Sequence, residues 1–166
     1  MTFWTNSNIS PTRQFRFMIS NGSGTWWWAL SCSKPSYDIN TEEYKLINHK
    51  YKYPGVLTWN DITITIVDSG DKTFELYNTI QFTGYSPGGE GLTTGDGISK
   101  NLSNIYLRNG QDFLIDQIDA DGKTIEQWKL VNPFIKSTNF GQLDYSSDEL
   151  VKLELVISYD YAEFNV

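Results

Sequence analysis

At 166 residues, with 13 Lys and Arg against 20 Asp and Glu, the chain carries a formal charge of −7 and one cysteine. One domain is the natural count, and a chain of this size buries about 68–70% of its unfolded surface without a covalent staple. The lone Cys32 excludes an internal disulfide and a cysteine metal cluster, and the acidic balance excludes a surface built to grip phosphates.

Residues 1–11 are polar and end at Pro11, which predicts an arm. They have neither the basic start nor the apolar stretch of a secretion signal, and no segment approaches the ~20 apolar residues of a membrane helix. Synthesis and use, or assembly, in a reducing, cytosol-like compartment is the expectation. Gln14–Ser20 alternates as a strand with Phe15, Phe17 and Ile19 on one side, and Asn21-Gly-Ser-Gly24 reads as its hairpin turn. Thr25–Ser33 is the return strand, closed by Lys34-Pro35. Within it Trp26 and Trp28 share a face opposite Trp27. Cys32 lies in the same apolar run and reads as buried filler, not as a reactive thiol.

Tyr37–Tyr53 has no helical period and predicts a long hairpin or extended excursion stopping at Pro54-Gly55. Val56–Val67 reads as one strand, with Ile62, Ile64 and Ile66 facing one way and Thr63, Thr65 and Val67 the other. Asp68–Asp71 breaks it and caps a short amphipathic helix over Lys72–Phe82, whose apolar positions are Phe74, Leu76, Tyr77 and Ile80. Gly84–Gly97 holds six glycines and predicts a flexible loop, and Ser99–Arg108 reads as a second short helix. Asp112–Ile118 and Thr124–Asn132 form a hairpin around Ala120-Asp-Gly122. From Val151 to Tyr161 the alternation spans eleven residues, with Lys152, Glu154, Ser158 and Asp160 on the polar side. That length exceeds the usual five or six of a strand. The fold class is mainly β: an antiparallel barrel or sandwich with one or two short flanking helices.

Residues that carry chemistry are sparse. His49 is the only histidine, so a histidine metal cage is impossible, and no Gly-x-Ser-x-Gly elbow accompanies it. The glycines of 88–97 lack the Lys-Ser/Thr of a phosphate loop. Asp119–Gly122 resembles part of a calcium loop, but Gln117 and Trp128 occupy ligand positions, so a turn is the better reading. Scattered carboxylates such as Asp112, Asp116, Glu126 and Asp144 read as charged surface, not as a glycosidase pair. No catalyst, cofactor or metal is expected.

Three blocks in order carry a resemblance. They are Pro11–Ile19 with Lys34-Pro-Ser-Tyr-Asp-Ile39, then Leu46–Asp68, then Ile115–Lys123 running through Trp128–Ile135 to the last strand. Together they resemble the tail tube proteins of contractile-tailed phages, most closely the cyanophage type, which are related to the type VI secretion tube protein. The resemblance implies a single domain over 1–166 in a β-barrel or sandwich. It implies six copies closing into a ring, and rings stacking into a tube through which genomic DNA passes without specific binding. Sheath, baseplate and neck proteins are the implied partners, no membrane is involved, and the site of action is the virion tail, assembled in host cytoplasm.

By the same resemblance, the 37–53 excursion contacts neighbouring subunits through Tyr37, Tyr44, Ile47, Tyr51 and Tyr53. The channel is lined by Thr63, Thr65, Lys152, Glu154, Ser158 and Asp160. An acidic wall of that kind keeps phosphates off its surface. A ring that initiates or terminates the tube is a variant of this reading. A glycan-binding sandwich using Trp26–Trp28 is the alternative from another class, and a carboxylate hydrolase is a third.

Overall fold

The structure, a computed structural model, describes residues 12–22, 24–85, 97–100 and 112–165. Two antiparallel sheets enclose one core. The five-stranded sheet runs β11-β8-β7-β1-β2 and the four-stranded sheet runs β3-β6-β10-β9. The first contains β1 (Phe17–Asn21), β2 (Gly24–Thr25), β7 (Phe113–Ile118), β8 (Thr124–Val131) and β11 (Tyr161–Asn165). The second contains β3 (Ala29–Cys32), β6 (Ile62–Val67), β9 (Phe134–Asn139) and β10 (Lys152–Ser158). A third, two-stranded sheet pairs β4 (Ser36–Leu46) with β5 (His49–Asn60). The fold is mainly β, as the alternation predicts.

The core follows from period two. Ile62, Ile64 and Ile66 of β6 pair beside Ile157, Leu155 and Leu153 of β10, and all six are fully buried. Ile19, Phe113, Ile115 and Leu130 close over them from the other sheet. Burial at about 25 cal/mol per Å² of apolar area makes this layer the main stabilising term. The helix α1 (Lys72–Phe82) adds Leu76 to the same core. Its apolar stripe is narrower than predicted, because Phe74 and Tyr77 are exposed.

The helix start differs in detail from the expectation. Asp71 occupies the cap position but makes no side-chain cap bond. Asp68 acts instead: its carboxylate accepts the Thr73 hydroxyl at 2.8 Å and the Gly70 N–H at 2.9 Å. Those two bonds hold the Asp68 carboxyl below its usual range.

Long strands expected from sequence prove to be two strands joined at a corner. Thr25–Ser33 turns at Trp26–Trp28, where the Ala29 N–H bonds the Trp26 carbonyl at 3.2 Å, and it changes sheets there. Val56–Val67 divides at Asp61, whose carboxylate is held by Lys136 at 2.6 Å. The eleven-residue final strand divides at Tyr159-Asp160, so β10 has seven residues and β11 lies in the opposite sheet. Pro54-Gly55 does not end the hairpin. It sits at a bulge opposite Asn40, where a Cβ on Gly55 would lie 3.0 Å from the Asn40 carbonyl oxygen. Strand β9 is additional to the sequence reading and begins after Asn132, whose φ of 52° turns the chain into Pro133. The hairpin over Asp119–Gly122 is as expected, with the Asp119 carboxylate accepting the Asp121 and Lys123 N–H groups at 2.9 Å. The 1–11 arm, most of the 84–97 loop and the second helix after Lys100 lie outside the described residues.

Candidate functional site

Two surfaces stand apart from the core. The first is the outer face of the four-stranded sheet. Register puts Ser31, Thr65, Glu154 and Asn139 in one row across it, and Thr63, Val156 and Ser137 in the next. Lys152 and Ser158 extend the same face along β10, because residues two apart share a side. Thr63, Thr65, Lys152, Glu154 and Ser158 are therefore brought together. Asp160 is not. It lies in the turn to β11, bound by the Lys100 ammonium and by Asn132 Nδ2 at 2.8 Å, and these contacts hold its carboxyl below the usual range.

The face is also more neutral than the overall charge suggests. Its named residues carry one cation, Lys152, and one anion, Glu154, among hydroxyls and amides. At its margin Lys136 and Asp61 cancel each other.

The second surface is the β4–β5 hairpin. Every residue of β4 is exposed, and in β5 only Trp59 is partly covered. Cross-strand pairing divides its side chains between two faces. Near the body, Tyr37, Ile39, Leu57 and Trp59 share one face, and Trp59 rests 6.1 Å from the Tyr159 ring. Beyond the Asn40 bulge that same face becomes charged, with Glu43 reaching Lys50 at 3.2 Å and Lys52 at 3.9 Å. The apolar side has moved to the opposite face, where Tyr44 lies across from Tyr51 and Leu46 from His49, with Tyr53 next along β5. His49 packs edge-on against Tyr51 at 4.7 Å, so it is part of this patch. Ile47 is fully exposed at the tip. All five predicted contact residues lie on the hairpin, but Tyr37 faces the opposite way from Tyr44, Tyr51 and Tyr53.

The tryptophan run is used differently. Trp26 and Trp28 stack at 6.0 Å, and Trp26 meets Phe113 edge-on at 5.5 Å. The Lys72 ammonium sits 3.9 Å over Trp28, tying the helix to this corner. Of the three, Trp27 is the exposed one, at 80%, while Trp26 and Trp28 are partly buried.

A cavity of about 630 Å³ is bordered by Phe15, Phe17, Cys32, Lys34, Asp116 and Trp128. Three of its polar groups, Lys34, Asp116 and Gln117, are engaged within the fold. Gln127 Nε2 donates to Asp116 at 2.8 Å, and Lys34 bridges to Glu126 at 2.7 Å, joining the end of β3 to the opposite sheet. Burial pushes Glu126 up, but the Lys34 and Trp128 hydrogen bonds outweigh it and leave the carboxyl lowered. Among the described residues no His, Cys, Asp and Glu gather in a group able to hold a metal.

Burial pushes the Cys32 thiol up to about 12. The thiolate is the nucleophile, so alkylation by iodoacetamide at pH 8 is expected to be at least about a hundredfold slower than for free cysteine. Equal rates would show that the thiol is open.

The comparisons bear on the fold. No family model matches the chain, and no curated protein matches it either. Solved structures do. A chain in the anti-feeding prophage cap, a tube-terminating cap, aligns with a TM-score of 0.70 at 18% identity, covering 95% of this chain and 93% of that one. A chain of the PVC extracellular contractile injection system, from its sheath/tube terminator, gives 0.71 at 20% identity over 95% and 99%. One from the PVC sheath-tube complex gives 0.64 at 21% over 94% and 92%. The chain shares the fold of these tube and tube-terminator chains. The resemblance seen in the sequence and the sandwich seen in the structure agree with that shared fold. The sequence does not reveal the switch of the hairpin's apolar side. The signal available for it is Pro54-Gly55, which marks the bulge and not a stop.

Proposed function

We propose that the chain is a structural subunit of the tube of a contractile tail, closing as six copies into rings that stack around a channel. The observation that carries this reading is the hairpin. A two-stranded ribbon is marginal in water by itself, and this one leaves aromatic side chains open on both faces. Contact with neighbouring copies through Tyr37, Tyr44, Ile47, Tyr51 and Tyr53 covers them. The hydroxyl-rich outer face then lines the channel through Thr63, Thr65, Lys152, Glu154 and Ser158, with Asp160 at its rim. Genomic DNA passes without specific binding because the wall offers no net cationic field. Sheath, baseplate and neck proteins complete the assembly, and the subunit acts without catalysis.

Mass photometry across a concentration series tests the reading: six-copy rings and higher stacks are expected, and a monomer at every concentration would overturn it. Fold likeness to caps and terminators, at TM-scores of 0.70 and 0.71, favours a second reading as a terminating ring. That version forms single rings and never long tubes.

The wall makes its own prediction. Glu154→Lys replaces the one anion on the face while leaving the core untouched. Folding stability should change by less than about 0.5 kcal/mol, as for other surface sites. Assembled rings should now retain DNA at low salt and release it as salt rises. Unchanged DNA retention by assembled Glu154→Lys rings would remove this face from the channel.

A further inference from the structure

The hairpin's charged face has a counterpart elsewhere on the same chain. Beyond the bulge that face presents Lys45, Lys50 and Lys52 around the single carboxylate of Glu43. In a chain with 13 cations against 20 anions, three lysines on one exposed face form an unusual concentration. The complement lies between β9 and β10. Residues 141–150 have no strand or helix and are exposed throughout. They carry Asp144, Asp148 and Glu149, interleaved with Leu143, Tyr145 and Leu150, all widely open to solvent.

This segment has a defined shape. Asp144 accepts the Ser146 N–H at 2.8 Å and its hydroxyl at 2.7 Å. Gly141, at φ 85°, lies so close to β10 that a Cβ there would be 2.7 Å from the Lys152 carbonyl oxygen. An acidic, apolar-studded ledge is thus held open to solvent, with Lys152 of β10 reaching its Glu149 at 3.9 Å.

We propose that the lysine face of one copy's hairpin seats on the 143–150 ledge of a second copy. Lys45, Lys50 and Lys52 meet Asp144, Asp148 and Glu149 there, while Ile47 reaches Leu143, Tyr145 or Leu150. This rests on the reading that the chain self-assembles, and it names the surface that receives the hairpin. Donor and acceptor are different patches, so the contact is head-to-tail and repeats from copy to copy. Charge complementarity at an exposed contact fixes register and partner more than strength. The contact therefore weakens as salt shortens the screening length.

The test is a charge swap in the full chain, read as the concentration at half-assembly in sedimentation at low salt. Lys50→Glu with Lys52→Glu is expected to raise it by about tenfold or more, as is Asp148→Lys with Glu149→Lys. Combining all four should return it to within about threefold of the parent. Because the lysine substitutions also disturb the Glu43 pairs, a second readout stands beside them. In a Cys32→Ser background, Lys50→Cys with Asp148→Cys should form a disulfide between copies under mild oxidation, whereas Lys50→Cys with Ser31→Cys should not. A parent protein that never assembles overturns both the tube reading and this contact. Normal assembly with no effect of the swaps, no rescue, or no selective disulfide overturns this contact alone.

Discussion

Replacing Ile64 by alanine is expected to lower stability by about 2–5 kcal/mol, the range for removing a large aliphatic from a closed core. Ile64 sits at the middle of the four-stranded sheet, fully buried, paired with Cys32 on one side and Leu155 on the other. At a fully buried site the transfer and cavity losses add. Domains are stable by only about 5–15 kcal/mol, so a large fraction of the total is at stake. For a chain of this size each kcal/mol moves the melting temperature by about 2–4 °C. The internal control is one residue away. Thr65 is on the other face of β6, opposite Glu154, and Thr65→Ala should stay within about 0.5 kcal/mol. Thermal melts of the two variants at low protein concentration decide the matter. Equal losses would mean that the two faces of β6 are not core and surface as described.

The second large effect falls on assembly and leaves folding alone. Tyr44→Ser with Tyr51→Ser removes a cross-strand pair from the distal aromatic face of the hairpin. Both rings are exposed in the isolated chain, so their loss barely alters the subunit's melting temperature. At an interface, buried tyrosines act as hot spots of about 2 kcal/mol each, and 1.4 kcal/mol is tenfold in affinity. Assembly should therefore require at least about a hundredfold more protein. Melting and mass photometry on the same samples separate the outcomes. A variant that assembles like the parent would take this face out of the interface, whereas a variant that unfolds would make it part of the subunit's own stability.

Much of the fold is legible in the sequence because both sheets bury the same core. Ile62–Ile66 and Val151–Ile157 show their inward and outward sides directly, and the structure places the inward isoleucines and leucines at 0–1% exposure. Sequence alternation alone reads the long strands as continuous. At Tyr159-Asp160 the apolar residues alternate in sequence through the corner, but burial shifts by one residue: Tyr159 is buried, Tyr161 is exposed, and Ala162 is the next residue on the core. Pro54 misleads for a related reason. Proline is tolerated where its missing N–H faces away from a partner, and the bulge at Asn40 provides such a place.

The candidate surfaces were legible only in part. Polar alternation identifies the outer sheet face, but it also sweeps in Asp160, which the corner carries away to Lys100 and Asn132. The aromatic content of Tyr37–Tyr53 marks the hairpin as sticky. Which rings share a face depends on the register and on one extra residue in β5, and neither is visible in composition. The acidic excess is similarly misplaced if averaged over the chain. The channel-facing candidate is nearly neutral, and acidic residues cluster instead on the 144–149 ledge.

Cryo-electron microscopy of the purified full chain at assembling concentration tests the central claim most directly. The account predicts six-fold rings whose inner wall is the β3-β6-β10-β9 sheet, with Thr63, Thr65 and Glu154 facing the channel and the β4–β5 hairpin buried between copies. Monomers at every concentration, or rings that turn this sheet outward and leave the hairpin free, would contradict it.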